Sequence, residues 1–193
     1  MSSPLQTKAR EELAHVENIG NQYERVEATP AQKRIFSDTM RDLLAGWKYL
    51  AAFLGSDAIY YHVVKTDNFP VAATDAVAIY LSDNMEEKTL PNGEKSWPGF
   101  FHPKWTHDNR VFILAHEGMH VLREDVMWLE QCREQTFVYV PRTPACPTGV
   151  LPFINAIAQR ALDCQINSAL KADNVGVPPA GVCFHPAITH RSE

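Results

Sequence analysis

The spacing of apolar residues along this chain changes period several times, and each change marks an element. Between residues 7 and 26, Leu13, Val16 and Ile19 share one face of a charged stretch, which predicts an N-terminal helix. Thr29-Pro30 then offers an N-cap and a proline at the first helical position. From there Ile35, Phe36, Met40, Leu43, Leu44, Trp47, Leu50 and Leu54 recur at helical spacing, predicting a long amphipathic helix that ends near Gly55. Residues 59–65 and 77–81 are rich in β-branched and aromatic types and predict two short strands, with a turn over 66–70. Residues 83–106 carry turn signals at Pro91-Asn92-Gly93 and Pro98-Gly99 and predict an irregular loop. A helix is expected over about 108–131, a proline-rich loop over 141–152, a further helix over about 153–171, and an extended tail beyond. Helices, a small strand pair and helices again predict an α+β fold. The expected divisions are a helical extension over 1–28, a central domain over 29–172 and the tail over 173–193.

Composition refines this picture only a little. A net charge of −5, with both signs mixed along the chain, argues against a nucleic-acid partner. No stretch approaches the roughly 20 apolar residues that a membrane helix needs. Charged residues at Lys8, Arg10, Glu11 and Glu12 stand where a leader would be apolar, so a cytoplasmic placement is expected. The cysteines are Cys132, Cys146, Cys164 and Cys183; none forms a C-x-x-C pair, and reduced thiols are expected.

Candidate chemistry concentrates in His116-Glu117-Gly118-Met119-His120, which follows the apolar run Val111 to Ala115. Residues four apart on a helix share a face, so both imidazoles can reach one cation. Zinc accepts imidazole nitrogen and prefers four ligands. Glu117 projects beside the first histidine, where a carboxylate can take a proton from a water attacking a carbonyl. A third protein ligand is usual. Glu124 lies one further turn along the same helix, where three consecutive turns would be hard to gather on one ion. His185 and His190 lie in the tail. Asp163 falls on a polar stripe with Gln159 and Asn167, although such a stripe equally describes a solvated helix face. His102 and His107 flank the loop and are either surface histidines or aids to polarising a carbonyl. Trp97, Phe100, Phe101 and Trp105 either wall a cleft or fill the core.

Over about residues 40–172 the chain resembles the family of metallopeptidase-like domains that usually precede a von Willebrand factor A-like domain in bacterial and phage proteins. The likeness rests on a helix like that of Leu43–Leu54, on Ala72-Ala73-Thr74-Asp75 before a short strand, on Leu114-Ala115-His116-Glu117 with His120, and on Ala161-x-Asp163-x-x-Ile166-Asn167. The resemblance implies a zincin-like, mainly helical fold with a small sheet beside the active-site helix. It implies His116, His120 and Asp163 as ligands of Zn2+, Glu117 as the base, Asn167 as a support, and a peptide or protein as substrate. In zincins the strand beside the active-site helix often takes up an extended peptide; residues 77–81 would serve so, or simply pack in the core. The chain departs from the family at Arg123-Glu124-Asp125, where a histidine or arginine is common, and at Gln159, where asparagine is common. The alternative reading is a non-catalytic zinc scaffold or interaction module, closed by a fourth protein ligand such as Cys164 or His185.

Overall fold

A computed structural model describes residues 23–47, 54, 59–66, 69, 71–75, 78–89, 93, 95–132, 137–139, 142–144, 147–148, 150–152 and 154–184. The expected N-terminal helix falls mostly outside the described residues, as do His185 and His190. Its last part is corrected: Glu24–Arg25 is a strand, β1, paired antiparallel with β2 (Tyr60–Lys65). Tyr23 anchors this pairing with its ring against Phe69 and Tyr80, at centroid distances of 5.3 and 5.1 Å. Helix α1 (Pro30–Gly46) opens with the expected cap, where Thr29 and Gln32 exchange side-chain and backbone hydrogen bonds, and it closes at Trp47.

Two more strands complete the sheet. β3 (Ala72–Thr74) and β4 (Ala78–Ser82) form an antiparallel pair, and β4 runs parallel to β2, giving the order β1-β2-β4-β3. β3 is absent from the sequence expectation because Ala-Ala-Thr has little strand character of its own. Asp75 builds it from outside, accepting from the Ala78 amide and from the Tyr80 hydroxyl, both at 2.7 Å. The loop over 83–106 is irregular as expected but closely packed. A Cβ on Gly99 would stand 2.4 Å from the Ser82 carbonyl oxygen, so only glycine lets the two backbones meet there. Phe100, Phe101 and Trp105 are buried, and the Arg110 side chain holds the loop by donating to the carbonyls of Phe100 and His102.

The helix expected over 108–131 is two helices. α2 (His107–Leu122) starts from a Thr106–Asn109 capping box, and α3 (Asp125–Cys132) follows a break at Glu124, which adopts a left-handed φ of 56°. Residues 137–152 are not simply a loop: β5 (Phe137–Tyr139) pairs antiparallel with β6 (Val150–Pro152), with Pro152 tolerated at the strand end. α4 (Asn155–Ala172) is the last helix. α2 packs against α1, β3, α3 and α4, and the core gathers Leu43, Ile79, Leu81, Phe112, Leu114 and Ile166 among others. Leu54 reaches it by lying over Gly118, where a Cβ would come within 2.8 Å of Leu54 Cδ2. The architecture is α+β, with a four-stranded sheet beside α2.

The tail departs from its expectation. Over 173–184 it folds back, burying Val175 and Pro179. The Val177 amide donates to the Asp108 carbonyl at 3.0 Å, and Asn109 Nδ2 donates to the Val177 carbonyl at 2.9 Å. Gly176 makes this seat possible: its φ is +63°, and a Cβ there would lie 2.5 Å from the Asp108 oxygen and 2.7 Å from the Phe112 nitrogen. Gly176→Ala therefore meets both backbone strain and rigid helix backbone, and is expected to cost about 2 kcal/mol or more, read as a lower denaturant midpoint.

Candidate active site

α2 presents His116 and His120 one turn apart, and α4 brings Asp163 across to them. His120 Nε2 lies 3.1 Å from His116 Nε2 and 3.0 Å from Asp163 Oδ1, and His116 Nε2 lies 3.7 Å from that same oxygen. A tetrahedral ion with bonds of about 2.0–2.1 Å separates its ligand atoms by about 3.3–3.4 Å. The three distances bracket that value, so this cluster of buried and half-buried groups could hold a metal ion.

The other face of each ring decides what the inward nitrogens can do. His116 Nδ1 lies 2.8 Å from Asn167 Oδ1, and His120 Nδ1 lies 3.0 Å from Asp125 Oδ2. Asn167 Nδ2 donates to the Cys183 carbonyl at 3.1 Å, which fixes the amide with its oxygen toward His116. Both acceptors favour a proton on Nδ1 and leave the Nε2 lone pairs facing Asp163. Three converging acceptors need a cation or a proton between them. Burial, and then the neighbouring His120, hold His116 down to about 4. Burial also opposes charge on His120, but its hydrogen bond to Asp163, the Glu117 and Asp163 charges and Asp125 outweigh it and raise its pKa.

Asp125 was not singled out as a functional residue in the sequence. In one continuous helix it would stand well around the axis from His120; the left-handed turn at Glu124 swings it back, buried, with Arg123 Nε 3.4 Å from its other oxygen. Glu124 itself is exposed and outside the cluster. His102 accepts from the Lys104 amide, His107 pairs with Asp42, and neither lines the cleft beside the cluster.

That cleft encloses about 460 Å³ and is lined by His116, Glu117 and Asp163 together with residues of β3, α4 and the tail. Burial pushes the Glu117 carboxyl up to about 7, with Asp163 adding to the rise and His120 opposing it. Of the four loop aromatics, only Trp97 reaches the cleft wall; the other three are core. The polar stripe Gln159, Asp163 and Asn167 lines the cleft, with Gln159 exposed at its mouth, Asp163 half-buried and Asn167 buried. β4 lies between β2 and β3 with all five residues buried, so it packs in the core and cannot add a strand. Among the described residues the sheet edge beside the cleft is β3. Backbone bonds pair Val71 with Ser82 and Asp75 with Ala78, so the alternate residues Ala72 and Thr74 turn their backbone groups away from β4.

Cys164, next to Asp163, forms a disulfide with Cys183, in place of the reduced thiols expected. The returning tail brings their Cα atoms to 4.9 Å, inside the range a disulfide bridges. Cys132 is a free, buried thiol, and Cys146 lies outside the described residues. Among the described residues no helix is long and apolar enough to cross a membrane. In comparisons with known proteins, no family model, no curated protein and no solved structure matches the chain.

Proposed function

We propose that the chain is a zinc-dependent peptide hydrolase of the zincin type. The observation that carries this reading is the triangle of His116 Nε2, His120 Nε2 and Asp163 Oδ1, with both Nδ1 positions already occupied and Glu117 beside it on the cleft wall. Two imidazoles and one carboxylate form a donor set suited to zinc and leave a fourth position for solvent or substrate. Zinc bound there supplies a Lewis acid that acidifies water and polarises a carbonyl. The residues of the chain do the rest. A peptide lies along the outward backbone of Ala72 and Thr74 as an added strand. Glu117, raised toward neutrality by burial, accepts the proton of the attacking water and passes it to the departing amine. Asn167 and Asp125 keep the two rings in register while charge shifts around them.

Cys164 is held by Cys183, so of the two closing ligands considered for the scaffold alternative that thiol is not free, and the other, His185, lies outside the described residues. The same bridge favours an oxidising compartment over the cytoplasm expected from the sequence. Incubation of zinc-loaded protein with a mixed peptide library, read by mass spectrometry, tests the reading directly: cleavage products that vanish with chelator support it, and an intact library refutes it. Asp125→Ala is expected to weaken zinc binding by about 10–100-fold, measured by competition with a chelating dye.

A further inference from the structure

α4 carries the cleft along its length. Ala156, Gln159, Arg160, Asp163 and Asn167 all line it, at helical spacing. The charge along this wall is uneven. Asp163 stands at the metal end and is the first acidic residue of the helix. One turn nearer the helix N-terminus stands Arg160, the one cationic side chain among the described residues that line the cleft. It is exposed, and its guanidinium has no hydrogen-bond or ion-pair partner among the described residues. The first turn of α4 holds no acidic residue and Ile154 offers no side-chain cap, so the positive end of the helix dipole lies on the same side. Arg160 and Asp163 are neighbours at i, i+3, about 5–6 Å apart at Cβ. An extended peptide rises about 3.3 Å per residue.

We infer that Arg160 selects peptides bearing a carboxylate one or two residues from the scissile carbonyl, either an acidic side chain or a free C-terminus. This rests on the hydrolase reading above. A planar guanidinium suits a carboxylate because both its N–H groups meet both oxygens. Among the described residues that line the cleft Arg160 is the one Lys or Arg, so it sets the register of such a substrate there.

The test uses matched peptides built on a cleaved sequence, or on library peptides where none is cleaved, with Glu, Gln or Lys at each position within two residues of the cut, each with a free or an amidated C-terminus. kcat/KM is measured for the zinc-loaded wild type, Arg160→Ala and Arg160→Glu. Binding of the same peptides to Glu117→Gln, and to Glu117→Gln combined with Arg160→Ala, is followed by fluorescence polarisation of dye-labelled peptide. At one position Glu, or the free terminus, is expected to exceed its neutral partner by about 10–100-fold in wild type. Arg160→Ala should remove that ratio, and Arg160→Glu should transfer the preference to Lys. Which arm shows the effect separates side chain from terminus. Cleavage without a charge preference, or a preference that survives Arg160→Ala, overturns the inference while leaving the hydrolase intact. Carboxylate-dependent binding through Arg160 without cleavage removes the hydrolase and, with it, the register to a scissile carbonyl, leaving Arg160 as a carboxylate-binding group only. Neither cleavage nor binding removes both.

Discussion

Glu117→Gln is expected to lower kcat on a cleavable peptide by about 10²–10⁴-fold, the range removed with a general base. Glutamine keeps the size and polarity of the side chain but cannot accept a proton. The carboxyl is not one of the three converging groups, so the variant should retain one zinc per chain. It should also retain the fold, because the glutamate lies on the cleft wall rather than within the apolar core. The combination is diagnostic. Lost turnover with unchanged metal content and unchanged melting assigns the proton transfer to Glu117, and near-normal turnover assigns it elsewhere.

The second large effect concerns the metal. Protein purified without added metal is expected to carry about one zinc per chain by elemental analysis. His116→Ala and Asp163→Ala should each lose it, from opposite sides of the triangle. Stabilisation by a bound ligand grows with its excess over Kd and reaches about 2.7 kcal/mol at a hundredfold excess. For a chain of this length that corresponds to roughly 5–10 °C in Tm. Chelator should therefore lower the Tm of wild type by that amount and leave the two variants unmoved. A chelator-insensitive Tm with no metal in the preparation would overturn the assignment.

The larger elements were legible because their apolar faces are long: α1, α2 and α4 each show the helical period over several turns, and β2 and β4 are dense in β-branched and aromatic residues. The short pieces were not. β1 has two residues and β3 is Ala-Ala-Thr; both exist because a neighbour offers a ladder, not because their own side chains prefer one. The pairing of His116 with His120 follows from local spacing. Asp163 was the best-placed third candidate in the sequence, but periodicity could not separate it from a solvated stripe, and the family resemblance strengthened it. Asp125 was hidden by a helix break without glycine, since Glu124 takes the left-handed turn despite its side chain. The Cys164–Cys183 link was hidden because only the return of the tail brings the two together.

That link gives the chain a thermodynamic dependence on its surroundings. It spans 19 residues of sequence, and closing a loop of that size removes enough freedom from the unfolded chain to be worth about 3 kcal/mol. A thiol reductant would return that freedom, and would also loosen the carbonyl that Asn167 grips on its way to His116. Thiol poise thus becomes a variable in how long this protein survives.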